Sequence, residues 1–136
     1  MVAGQDAVVT LTEDECHKLL QTHRPRLGRL AFVDEGWPLV LPMNFVADGR
    51  FLWFRTAPGS KLMAALRVQQ VTFQVDDVDE AWREGWSVLA YGRLRLVTDA
   101  DELAIAKDLP LQPWARGERP HFLRMDIERV TGRRLV

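Results

Sequence analysis

Serine, asparagine and cysteine are nearly missing from this 136-residue chain, which has two serines (Ser60 and Ser87), one asparagine (Asn44) and one cysteine (Cys16). A single thiol excludes an internal disulfide framework and fits a reducing compartment, so a cytoplasmic location is expected. Charge of either sign is not in excess, the formal net charge being −1. No global basic field therefore points to nucleic acid or an anionic membrane. Apolar stretches of membrane-spanning length are absent, and Met1–Thr10 lacks a basic region followed by an apolar one, so neither a membrane span nor an export signal is expected. The three histidines, His17, His23 and His121, are scattered, and with one cysteine they make no zinc-ligand pattern. Asp76–Glu80 is acidic but has no loop glycine or spaced carboxylates, so calcium is not expected and no metal is assigned. Neither serine lies in a nucleophile elbow, and no Walker spacing occurs.

What remains is an apolar chain, 47% hydrophobic with five tryptophans, of a length that fits one domain over residues 1–136 after a loose lead-in at 1–10. Thr12-Glu-Asp-Glu15 is a capping box that starts a helix running to about Thr22, with Pro25 as its stop. Strands are expected at Leu27–Val33, Leu39–Val46 and Phe51–Thr56, the last two joined by an Asp48-Gly49 hairpin turn. A short helix from Lys61 to about Arg67 leads to a strand around Val71, Phe73 and Val75. Residues 76–84 read as an acidic loop, and Trp86–Val97 as the longest strand, which Gly92 lets bend. Asp99 caps a helix to about Asp108, and two strands follow, one around Leu123–Ile127 and a short one at the end of the chain. The fold class is mainly β: six to seven mostly antiparallel strands with short flanking helices, closed into a small barrel.

Chemistry concentrates at three places. Phe54-Arg-Thr56 runs into Ala57-Pro-Gly-Ser60-Lys61, so two cations and two hydroxyls surround a helix start, a setting that attracts phosphate. Ser60 reads equally as a plain N-cap. Pro42 interrupts an apolar strand and leaves Met43 and Asn44 at an irregular sheet edge, which fits either a cleft wall facing a heterocycle or a tolerated edge proline. Trp86, Ser87 and Val88 open the long strand as a ring platform or as a buried interface aromatic, with Trp114 in a proline-rich loop. No acid–base machinery is visible, a profile that suits a protein whose cofactor performs the chemistry.

In Leu27-Gly-Arg-Leu30, Leu41-Pro-Met-Asn-Phe45, Phe54-Arg-Thr-Ala-Pro-Gly-Ser-Lys61, Gly85-Trp-Ser-Val88, Pro113-Trp114 and Thr131-Gly-Arg-Arg134 the chain resembles the pyridoxamine 5′-phosphate oxidase-like flavoproteins, the FMN-binding split β-barrels, and among them the small branch of nitroimidazole-resistance type. The resemblance covers about residues 10–134. It implies a cytoplasmic homodimer with two FMN sites between subunits and an oxidoreductase passing electrons from a nicotinamide nucleotide to a small-molecule acceptor. Arg55, Thr56, Ser60 and Lys61 match its phosphate segment, with Phe54 leading in. Pro42, Met43 and Asn44 match the strand beside the isoalloxazine. Trp86, Ser87 and Val88 match a segment arriving from the partner chain, with Trp114 nearby. The chain lacks the longer arginine-bearing C-terminal segment of the vitamin B6 oxidases, so that substrate is not expected. Relatives of this fold also bind a deazaflavin coenzyme or haem, which leaves a deazaflavin-dependent reductase and a non-catalytic flavin- or haem-binding module as alternatives.

Overall fold

The computed structural model describes residues 8–56, 62–111 and 121–135. Ser60, Lys61 and Trp114, all expected at the site, lie outside the described residues.

Strand β1 (Val8–Thr10) precedes helix α1 (Glu13–Thr22). The expected loose lead-in therefore contains a strand, held by pairing with the last strand of the chain. Helix α1 starts as its capping box requires: the Glu15 amide donates to Thr12 Oγ1 at 3.2 Å, and the Thr12 amide donates to Glu15 Oε1 at 3.0 Å. It buries Cys16 and Leu20.

Strands β2 (Leu27–Asp34) and β3 (Trp37–Asn44) form a hairpin. Glu35 and Gly36 at its tip have φ of 51° and 81°, the two positive values that a type I′ turn demands. Strand β3 lies at one end of the sheet order β3-β2-β6-β7-β8-β5-β4, an edge position where a proline such as Pro42 is tolerated. The strand expected over Leu39–Val46 is split: β3 ends at Asn44, Phe45 turns fully into the core, and β4 (Val46–Asp48) begins. The two ends of the sheet order thus meet through one residue, and the sheet curls into a barrel left open between β3 and β4. Gly49, at φ 58°, carries the turn into β5 (Phe51–Thr56).

Helix α2 (Leu62–Val68) leads into β6 (Gln70–Asp79) and β7 (Glu84–Leu96). The acidic loop expected over 76–84 is mostly strand: Asp76–Asp79 pair with Ser87–Glu84, and only Glu80–Arg83 turn. Side chains far away in sequence stand beside these carboxylates, Arg29 of β2 at Asp76 and His23 at the end of α1 at Asp77. Helix α3 (Ala100–Asp108) is capped by Asp99, whose Oδ2 accepts the Glu102 amide at 3.0 Å. The two strands expected at the end of the chain are one, β8 (His121–Leu135). It pairs with β7 along its length, with a register shift at Tyr91/Gly92. Gly92 is required there, because a Cβ would lie 2.0 Å from the Asp126 carbonyl oxygen.

Eight antiparallel strands result among the described residues. Alternate side chains fill the interior, where Phe73 meets Phe45 and Phe54 edge-on at 4.9 and 5.2 Å. A second apolar cluster, including Trp53, Val97, Ala106 and Phe122, lies between the outer face of β5 and α3.

Candidate functional site

The alternation of side chains sorts the expected site residues by face. Phe54 and Val88 are fully buried and point into the barrel, so only their backbones reach the outside. Met43 also packs against the core. Pro42 and Asn44 take the opposite face.

Outside the barrel, two transverse rows cross the sheet. One joins Pro42 to Arg29, Arg29 to Gln74, Gln74 to Leu89 and Leu89 to Thr131. The next joins Asp76 to Ser87, Ser87 to Arg133 and Arg133 to Thr10. Their polar members interlock. Arg29 Nη1 donates to Asp76 Oδ1 at 3.1 Å and to Gln74 Oε1 at 3.3 Å, and Gln74 Nε2 donates to Asp76 Oδ2 at 2.9 Å. The same amide nitrogen is 3.5 Å from Ser87 Oγ. Arg29, Gln74 and Asp76 are not among the site residues expected from the sequence, where Asp76 stands only in an acidic run with no metal assigned and Arg29 only in a run that carries the family resemblance. Their signal was the alternation of Gln70, Thr72 and Gln74, polar positions on a strand that also carries core residues.

At the end of this face, Gly85 leaves a gap between Val78 and Leu135, its cross-strand neighbours. The gap opens a depression of about 450 Å³ that Val8, Trp86, Ser87 and Arg133 also line. Ligand pockets occupy this size range.

Arg55 and Thr56 end β5. The Arg55 guanidinium stacks 5.1 Å from the Phe122 ring centre, and Thr56 is buried. They are separated from Ser87. Thr56 pairs with His121 at the start of β8, whereas Ser87 pairs with Arg133 twelve positions later. In the other direction β3, β2 and β6 intervene. The structure therefore brings Pro42, Asn44 and Ser87 onto one face and leaves Arg55 and Thr56 apart from Ser87. Trp86, half-buried, faces the other side of β7, where His23 meets it edge-on at 5.2 Å.

A second arginine cluster lies under α3. Arg95 and Arg124 both contact Glu102, the latter at 3.1 Å, and Arg124 Nε donates to Asp126 Oδ1 at 2.9 Å. Hydrogen bonding to Glu102 raises the Arg95 pKa further. Burial pushes the Cys16 thiol up, which keeps it protonated and inert.

Comparison with known proteins adds to this geometry. The pyridoxamine 5′-phosphate oxidase family profile matches residues 12–134. The uncharacterized protein Rv0080 of Mycobacterium tuberculosis is 33% identical over 135 residues, covering 95% of this chain and 86% of its own. The structure of an FAD binding protein from Mycobacterium smegmatis superposes with a TM-score of 0.82 at 37% identity, over 93% of this chain and 98% of that one. A FAD-binding protein from Mesorhizobium loti does so with a TM-score of 0.80 at 30% identity, over 95% and 99% of the two chains.

Proposed function

The chain belongs to the pyridoxamine 5′-phosphate oxidase family, and on that premise we propose that it is a flavin-binding oxidoreductase that works as a homodimer on a small molecule. The observation that carries this reading is the partly exposed outer face, where Pro42 and Asn44 share the sheet with the Arg29–Gln74–Asp76–Ser87 network. A flavin ring is flat and has a polar rim of donors and acceptors. The face offers Pro42 as an apolar contact and Arg29, Gln74 and Asp76 as donors and acceptors, so the residues present fit the group.

Arg55 and Thr56, with Ser60 and Lys61 next along the chain, hold the phosphate through charge-assisted hydrogen bonds. Pro42 and Asn44 border the ring. Ser87 and Trp86 serve the site of the second copy, which accounts for their separation from Arg55 within one chain. A bound flavin supplies the hydride acceptor and donor; the protein fixes its orientation and excludes water. Both FMN and FAD contain the ring and the first phosphate. The likeness to two proteins named as FAD binding makes FAD a competitor of FMN for this chain.

Exposed apolar side chains support the dimer. Trp37 and Trp82 are each 75% exposed, and Val8, Val40 and Val78 each more than half. Surfaces of this kind are usually covered. Titration of the cofactor-free protein with FMN and with FAD, followed by flavin absorbance and tryptophan quenching, is expected to saturate with at least one of them. Mixing the loaded protein with NADH or NADPH is then expected to bleach the flavin. Failure of both flavins to bind at tens of micromolar refutes the reading; binding without bleaching reduces it to a flavin carrier. Sedimentation of the loaded protein checks the dimer.

A further inference from the structure

At the end of the outer face one transverse row runs Val8–Leu135–Gly85–Val78, across β1, β8, β7 and β6. Three of its members are exposed aliphatic side chains, and Gly85 adds nothing above the backbone. Two strand spacings, about 9.5 Å, separate Val78 from Leu135, which leaves room for one planar ring between them. This is the floor of the 450 Å³ depression. The next row inward, Thr10–Arg133–Ser87–Asp76, supplies its polar wall. Arg29, Arg93, Arg95 and Arg124 each hold a carboxylate, whereas exposed Arg133 holds none among the described residues. The carboxylates nearby are differently placed. Asp76 is engaged by Arg29 and Gln74, and Asp79 accepts the Ala81 and Trp82 amides at 3.1 and 3.3 Å. Glu80 and Glu84 line the opposite, hairpin side, with Arg83 between them in the chain. The row that leads to Pro42 crosses β7 at Leu89, about 13 Å along the strand from Gly85.

We propose that this depression is a binding site for a small planar aromatic carboxylate, separate from the face that borders the flavin ring. The ring lies over Gly85 and buries apolar surface against Val78 and Leu135. The carboxylate meets the Arg133 guanidinium, whose paired N–H donors match its two oxygens, and the Ser87 hydroxyl stands beside it. Glu80 and Glu84 on the hairpin side repel a second negative charge, so the far edge of the ligand is uncharged. A second copy of the chain is the competing occupant, because Val8 and Val78 are among the exposed apolar side chains that a dimer would cover. A purely apolar contact between copies would shield Arg133 without a counter-charge, which favours the anionic ligand. The site is formed by this chain alone and stands without the flavin reading.

The test titrates the full chain with para-fluorobenzoate, followed by fluorine NMR without added flavin. A Kd below about 1 mM is expected for wild type. Two further probes divide the contributions: para-fluorobenzyl alcohol keeps the ring and loses the charge, and trifluoroacetate keeps the charge and loses the ring. Each is expected to bind at least about tenfold more weakly. Arg133→Gln is expected to weaken para-fluorobenzoate by about the same factor, whereas Arg93→Gln, farther along β7, leaves it unchanged. Gly85→Val fills the gap and abolishes binding. A Cβ there would lie 3.0 Å from the Asp77 carbonyl oxygen and 3.4 Å from Val78 Cγ2, so the fold of this variant is checked by circular dichroism. If it is disturbed, Arg133→Gln decides alone. No binding to wild type, or unchanged affinity in Arg133→Gln, overturns the proposal. An equal loss in Arg93→Gln also overturns it, by reducing the binding to general attraction of an anion. Sedimentation covers the competing occupant: a wild type that ignores the probe, with a dimer that Gly85→Val dissociates, assigns the depression to the second copy. Saturating flavin that leaves the probe bound supports a separate site, and flavin that displaces it overturns one. If neither flavin binds, the flavin reading fails and the probe titration still judges this site.

Discussion

Two arginine–carboxylate networks lie on the outside of the same sheet, and they differ in what covers them. Under α3, Arg124 is 16% exposed and Glu102 is 21% exposed; two arginines converge on Glu102, and Arg124 also holds Asp126. The Arg124 guanidinium stacks 3.9 Å from the Phe51 ring centre. Across β2, β6 and β7, Arg29 and Asp76 are 44% and 39% exposed, about twice as open to solvent as the pair under α3. The same side-chain chemistry ties a helix to the sheet in one place and leaves a polar platform in the other. Coverage, rather than composition, separates a tether from a candidate binding surface.

The strongest way to break both networks is at their common support. Gly92 lies on β7 between Arg95 of one network and Ser87 of the other, and a Cβ there would collide with the Asp126 carbonyl. Gly92→Ala is expected to destabilise the protein by more than ~3 kcal/mol, read by urea unfolding, because the backbone of β7 or β8 must move. A loss under ~1 kcal/mol would mean that the bulge relaxes freely and that the strands do not hold the networks in register.

Next in size is a crossed pair. Arg124→Met leaves Glu102 with Arg95 as its remaining partner in a shielded setting and is expected to cost about 2 kcal/mol of stability while sparing flavin affinity. Arg29→Met removes a screened, exposed cation and is expected to cost under ~1 kcal/mol of stability. It frees Asp76 and Gln74 beside Ser87, and flavin affinity is expected to fall about tenfold, equivalent to ~1.4 kcal/mol. Thermal unfolding and flavin titration on both variants give four measurements. Interchanged phenotypes would reverse the assignment of tether and platform.

How much of this was readable beforehand depended on sequence distance. Thr12 and Glu15 are three residues apart, and their reciprocal bonds formed as the spacing required. The Asp48-Gly49 turn and the Asp99 cap were equally local. Residues 76–79 were misread as loop because the side chains that stand beside their carboxylates, Arg29 and His23, lie some fifty positions earlier. The end of the chain looked like two strands because Glu128 sits in the bulge opposite Tyr91/Gly92 and interrupts the alternation. The site followed the same division. Runs such as Pro42–Asn44 and Trp86–Val88 could be picked out, but not which members face outward. Fully buried Phe54 and Val88 are chosen by the pleat, and Gln74 meets Ser87 only through pairing across strands.

The smallest expected effect sets a baseline remote from either network. Glu15 accepts the Thr12 amide and lies near the start of α1, and this backbone hydrogen bond, with that of the Thr12 side chain, holds its pKa below the usual carboxylate range. A depressed pKa in the folded state means that folding favours the ionised form. The contribution is therefore complete above the ordinary carboxylate pKa and fades as the pH falls through the lower, folded value. Glu15→Gln is accordingly expected to lower the melting temperature slightly at pH 7. The difference between the two proteins should close on acidification below about pH 4, where the unfolded-state carboxyl begins to hold its proton. Because the group is on the surface, added salt should shrink the difference too. Flavin affinity should not change at all, which separates a loss of helix capping from any disturbance of the outer face. A difference that instead widened in acid would mean that the neutral carboxyl is the better cap, and the reciprocal bond to Thr12 would have to be assigned to the protonated form.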